Sequence, residues 1–94
     1  MARTFPIAQD LVQSYEALGA VVIRGVLNAD ELKRLEKGIE HNLKHLSPLA
    51  QVASQQDDPG RFVEDFCTWQ RNPDYQHILC ESSLPHVAAQ LMQS

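Results

Sequence analysis

The 94-residue chain has only two cysteines, Cys67 and Cys80, and a pair so far apart builds neither a disulfide framework nor a Cys-x-x-Cys redox or zinc knuckle. Both are expected as reduced residues of the core. Basic residues are scarce: eight Lys and Arg stand against twelve Asp and Glu, a net charge of −4, whereas a surface that binds phosphate backbones needs a basic excess. No nucleic-acid partner is expected. Nowhere do about eighteen apolar residues follow one another, and the first ten residues hold one Arg and no apolar run of signal-peptide length. The expected address is therefore the cytoplasm, with no membrane partner. Glycines are few, and Gly19 and Gly25 open neither a phosphate loop nor a dinucleotide fingerprint; a Gly-x-Ser-x-Gly elbow is also missing.

Metal signatures are equally thin. His41 and His45 have the i, i+4 spacing by which a helix offers two imidazoles to one ion, but the required Glu does not follow His41, and both read as wet-face residues. Cys67, His77, Cys80 and His86 have no recurrent ligand spacing. The facial iron triad needs a His and a carboxylate two residues apart; here Leu43, Ser47, Leu79 and Ala88 stand two residues after the four histidines. No metal ligand is assigned. Asp57-Asp58 and Glu64-Asp65 lack the alternating oxygens and glycine of a calcium loop and read as solvated pairs.

What the chain does have is helical periodicity. Pro6 is placed to open a helix over 7–18, in which Ile7, Leu11, Tyr15 and Leu18 share a face and Gly19 supplies a left-handed cap. Asn28 and Glu31 form a capping box ahead of a helix over 29–46, with Leu32, Leu35, Ile39, Leu43 and Leu46 inward and Lys33, Arg34, Lys37, Glu40, His41 and Lys44 wet. Residues 47–60 are an exposed connection, with room for a helical turn over 49–53. Phe62, Phe66 and Trp69 favour a helix over 61–70, although 62–66 also reads as a strand. Asn72-Pro73 opens a short helix over 73–80 with Tyr75, Ile78 and Leu79 inward, and Leu84, Val87, Ala88, Leu91 and Met92 give a last helix over 84–92.

Between the first two helices lies the one expected strand, over 20–27, with Val21, Val22, Ile23 and Val26 as its branched side chains. Burying each such side chain is worth roughly 1.5–3 kcal/mol, whereas burying an unpaired backbone group costs about 1–3 kcal/mol. Only strand pairing reconciles the two. With no second convincing strand, the mate is expected either in sheet beyond this chain or in a second copy of it, paired through segment 21–26. The ending at Leu91-Met92-Gln93-Ser94, without a glycine cap or trailing proline, adds to the expectation of an amino-terminal piece of a longer protein.

Trp69-Gln70-Arg71 joins a flat apolar surface, an amide and a fixed cation, a set suited to walling a pocket for a carboxylate or thioester substrate; the plainer reading is a core Trp with surface neighbours. The run Tyr15-Glu16-Ala17-Leu18-Gly19-Ala20-Val21-Val22-Ile23-Arg24-Gly25-Val26-Leu27, followed by Asp30-Glu31-Leu32, resembles the opening of phytanoyl-CoA dioxygenase family proteins. Phe62-Val63-Glu64-Asp65-Phe66, Trp69-Gln70-Arg71 and the segment 84–92 are similar to stretches that precede the catalytic core in a bacterial branch of that family. The resemblance implies an Fe(II)- and 2-oxoglutarate-dependent oxygenase on a double-stranded β-helix, hydroxylating a small-molecule or acyl substrate. It also implies that His-x-Asp, a distal His and the 2-oxoglutarate-binding Arg follow the matched region, so no catalytic residue is carried onto this chain, which is expected to bind no cofactor and to be inactive alone. The expected fold is thus mainly α with one short strand, the single helical portion over 1–94 of a larger oxygenase whose barrel is absent. The rival expectation is a self-contained helical interaction module that dimerises through segment 21–26.

Overall fold

The structure, a computed structural model, describes residues 3–94. Among these residues it is mainly helical: α1 (Gln9–Leu18), α2 (Ala29–Lys44), α3 (Pro73–Glu81) and α4 (Leu84–Met92), with a 3-10 turn at Trp69–Arg71. One small antiparallel sheet joins β1 (Gln51–Val52) to β2 (Val63–Glu64), with Gln51 opposite Glu64 and Val52 opposite Val63.

Local chemistry sets the helix ends. α1 stops at Gly19, whose φ of 80° suits a residue without Cβ and whose N–H donates to the Tyr15 carbonyl at 2.8 Å. α2 begins in the expected capping box: Asn28 Oδ1 accepts from the Glu31 N–H at 2.8 Å, and Glu31 Oε1 accepts from the Asn28 N–H at 2.9 Å. α3 opens at Asn72, whose Oδ1 accepts from the Asp74 and Tyr75 amides, with Pro73 at the first helical position.

The packing runs α1 on α4, α4 on α3 and α3 on α2. Val12 of α1, Ile78 of α3 and Val87 of α4 are the buried apolar residues of the described chain. At the α1–α4 contact Gln90 imitates a backbone pair: its amide nitrogen donates to the Phe5 carbonyl at 2.7 Å, and its Oε1 accepts from the Ile7 N–H at 3.0 Å. The α2–α3 contact is made through Gly38, where a Cβ would stand 3.0 Å from the Asp74 Cβ and 3.1 Å from the Tyr75 ring. That proximity lets Asn72 Nδ2 donate to the Gly38 carbonyl at 2.9 Å and Arg34 Nε donate to Asp74 Oδ1 at 3.0 Å. Glu31 is buried on the same side and pairs with Arg3. Its carboxyl is held below the ordinary range, first by the Asn28 amide and then by the Arg3 guanidinium, against the opposing effect of burial.

Several expectations are corrected. The strand expected over 20–27 does not form; the strands among the described residues are β1 and β2. The Val26 carbonyl instead accepts from Ser83 Oγ and from Arg3 Nη2, and Gly25, at φ 76°, turns the backbone out of the strand region just before it. Half-buried Val21 and Ile23 still alternate with exposed Val22 and Arg24, as in a pleated ribbon. The helix expected over 61–70 is replaced by β2 and the 3-10 turn, and the strand reading of 62–66 comes closer. Cys67 at φ 57° interrupts any α-helix there, and Asp65 spends its oxygens on the Ser47 N–H and hydroxyl. No helical turn forms over 49–53, because β1 occupies that stretch. Both cysteines are exposed rather than core: Cys67 sits in the turn after β2, and Cys80 lies two residues, about 200° of helix, from the buried Ile78. The same geometry leaves Leu79 exposed.

The largest departure is in α2. Leu32, Ile39 and Leu43, expected inward, are 54%, 43% and 41% exposed, while Arg34 of the expected wet face is partly buried against α3. At 100° per residue the packed face of Glu31, Gly38 and Asn42 lies about 90° from the apolar one.

Candidate functional site

Two regions of this fold offer something to a partner or ligand. The first is the uncovered apolar surface. Besides the α2 stripe, Val22 on the ribbon is 74% exposed, and Phe62 and Leu49 are exposed beside the sheet. The chain presents 7092 Å² to solvent, whereas a compact protein of 10.6 kDa presents about 5,500 Å², leaving a surplus of about 1,600 Å². Its radius of gyration of 16.2 Å likewise exceeds the roughly 12 Å of a compact domain of this length. Exposed apolar surface of this extent marks an interaction surface.

The second region is a cleft of about 490 Å³ between the end of α2 and the segment leading into α3. α2 ends at Lys44, and just beyond it at Ser47-Pro48 the Ser47 N–H donates to Asp65 Oδ2 at 2.9 Å while its hydroxyl donates to the other carboxylate oxygen. These bonds hold the Asp65 carboxyl below its ordinary range, the Ser47 hydroxyl contributing most. The clamp brings Leu46, Pro48 and Leu49 opposite Phe66 as apolar walls. His41 and His45 enter from the last turn of α2 with their rings stacked, centroids 4.4 Å apart and planes 22° off parallel. Arg71 and Gln70 enter from the 3-10 turn, and Cys67 lies between them and Phe66 in sequence on the same lining.

The candidate wall Trp69-Gln70-Arg71 is thus divided: Gln70 and Arg71 line the cleft, whereas Trp69, 41% exposed, does not. Asn42, Ser47, Phe66 and Cys67 join the lining without having been singled out as site residues. No local pattern marks them, because the cleft exists only once residues 41–49 meet residues 66–72 across the sheet.

Among the described residues no three His, Cys, Asp or Glu side chains come together in a way that holds a metal ion. His41 and His45 share a stack, and His45 Nδ1 lies 3.1 Å from the His41 carbonyl oxygen. These residues do not fit an iron centre by themselves. No helix among the described residues is long and apolar enough to cross a membrane. Comparison with protein-family models, curated proteins and solved structures finds no match for the chain.

Proposed function

We propose that the chain is the amino-terminal structural portion of a phytanoyl-CoA dioxygenase-like oxygenase, covering part of a double-stranded β-helix that lies outside these residues. The observation that carries this reading is the surplus of exposed area, about 1,600 Å², together with the open apolar stripe of α2. A standard pairwise interface takes only about 800 Å² from each partner, so the uncovered surface is of the size by which parts of one domain adhere. The ribbon supports the same reading: Val21, Val22 and Ile23 are β-branched, alternate in exposure and have no strand beside them among the described residues. An adjacent strand of the parent would satisfy their amides and cover Val22 in one step.

In this reading Fe(II), 2-oxoglutarate and their ligands belong to the remainder of the parent, which hydroxylates a small-molecule or acyl substrate in the cytoplasm. The contribution of this chain is packing, with Gln70 and Arg71, and less directly Trp69, as candidates for the substrate wall. A second copy paired through segment 21–26 is the rival occupant, and because obligate homodimers also bury this much surface the exchange experiment decides between them.

Hydrogen exchange tests the proposal. The chain is compared with a version extended by the coding sequence downstream of Ser94, which is expected to contain His-x-Asp. Amides of residues 21–24 are expected to exchange freely in the short chain and to become strongly protected in the long one, with 2-oxoglutarate turnover only in the latter. Unchanged exchange in the extended protein, or protection in the short chain that rises with its concentration, overturns the proposal; the second outcome establishes the dimer.

A further inference from the structure

The cleft beside the end of α2 has a property that the apolar surface does not: its charge. In a chain with twelve acidic residues and a net charge of −4, the cleft lining includes the cation Arg71 and no Asp or Glu. Of the carboxylates close to the lining in sequence, Asp65 is occupied by Ser47 and by the Phe66 N–H at 2.8 Å, Asp74 is paired with Arg34, and Glu40, next to His41, is not part of the lining. Arg71 forms no ion pair with a carboxylate among the described residues, in contrast to Arg3 and Arg34, which pair with Glu31 and Asp74. A guanidinium without an ion pair among the described residues, on the lining of a cleft that holds no carboxylate, is a local positive field in an acidic protein.

We infer that this cleft binds a small organic anion with a flat apolar body, an aromatic carboxylate, with Arg71 taking the carboxylate and the apolar walls taking the ring. The planar fork of Arg71 suits the two oxygens of a carboxylate. Phe66 and the stacked pair of His41 and His45 offer flat surfaces to an aromatic body, and Leu46, Pro48 and Leu49 give it somewhere to leave water. The volume of about 490 Å³ lies within the usual range of small-molecule sites. Inorganic phosphate satisfies the guanidinium but makes no use of the walls, and a neutral aromatic alcohol does the reverse, so each binds more weakly than the acid. The inference concerns this chain alone and stands whether or not the oxygenase reading does.

The two exposed thiols provide the measurement, since Cys67 lines the cleft and Cys80 lies outside it on α3. Alkylation of the full chain by iodoacetamide, an uncharged reagent, is followed at each cysteine by mass spectrometry while 2-naphthoate is titrated. Saturable protection of Cys67 is expected with Cys80 unaffected, and Arg71→Gln is expected to raise the half-protecting concentration by about tenfold or more. Arg24→Gln makes the same change in net charge on the exposed ribbon and is expected to leave that concentration unchanged. 2-Naphthalenemethanol and inorganic phosphate are each expected to require about tenfold more than the acid. Equal slowing at both cysteines, equal protection by the alcohol, or an Arg71→Gln variant that matches the parent chain overturns the inference.

Discussion

α2 carries two faces, and they are treated in opposite ways. The face toward α3 is made of Glu31, Arg34, Gly38 and Asn42, a set that looks solvent-bound by composition, yet it is the one that packs. The face made of Leu32, Ile39 and Leu43 looks like a core stripe and stands open. Polar groups can be buried here because each finds a partner: the Gly38 carbonyl meets Asn72, Arg34 meets Asp74, Glu31 meets Asn28 and Arg3, and the Asn42 amide lies 3.4 Å from the Tyr75 hydroxyl. Hydrogen bonds specify where the helices sit, while the hydrophobic free energy of the other face is still unspent. The comparison teaches that a helix in this chain is fixed by its polar side and held in reserve on its apolar one.

Breaking the polar face should have the largest effect. Gly38→Val places its Cβ within 3.0 Å of Asp74 and 3.1 Å of the Tyr75 ring, and the branched methyl groups need further room. The neighbours there include a helix-borne Cβ and a ring, which give way only by parting α2 from α3. A loss of about 2–3 kcal/mol is expected from overpacking, less the small gain from a better helix former than glycine. Urea unfolding followed by far-ultraviolet circular dichroism measures it. A variant as stable as the parent would mean that the α2–α3 contact is not formed in solution.

The reason these two faces were not both legible is instructive. The capping box at Asn28 and Glu31, the Asn72-Pro73 start and the Gly19 stop depend on residues within a turn of one another, and the starts of α2 and α3 and the end of α1 follow from them. The burial of α2 depends on where α3 lands, and the absence of a Cβ at Gly38 decides that landing. A lone glycine inside a helical pattern was the available signal. The strand expected over 20–27 fails for a related reason: its composition is right, but a ladder needs a neighbour, and Gly25 with the Ser83 and Arg3 donors claims the end of the segment. In the cleft, Gln70 and Arg71 were visible as chemistry; His41 and His45 were visible as a spacing, but their stacking beside Arg71 arises from the Ser47 to Asp65 clamp.

A smaller effect on the same polar side comes from Glu31. Its carboxyl sits below the usual 4.5 in the folded chain, so the folded state holds the carboxylate more firmly than the unfolded state does. The associated stability is complete above the ordinary carboxylate range and is lost as pH falls through the lowered value. Glu31→Gln keeps an oxygen that accepts from Asn28 and Arg3 but loses the charge, and is therefore expected to cost about 1 kcal/mol near neutral pH, the difference between hydrogen bonds to charged and to neutral groups. The gap between variant and parent should narrow steadily as the solution is acidified. Because both proteins keep Asp65, the acid loss due to its own lowered carboxyl cancels from the difference. A gap that is constant with pH would assign Glu31 a packing role instead.

Changing the open face sharpens the comparison by doing almost nothing. Ile39→Gln with Leu43→Gln alters side chains that are 43% and 41% exposed, and the substituted helix retains its cap and its contact with α3. Exposed substitutions of this kind shift stability by no more than about 0.5 kcal/mol each. The urea midpoint of the 94-residue chain is expected to stay close to that of the parent, and its solubility to rise, since an exposed apolar stripe has been made polar. If the proposed parent exists, the same pair of substitutions in a protein extended beyond Ser94 should cost several-fold more, because the stripe would then be buried against its neighbour and each glutamine would lose water without a partner. The ratio of the two losses is the informative quantity. A large loss in the short chain would show that the stripe is already packed there, and equal small losses in both would mean that the extended protein covers some other surface.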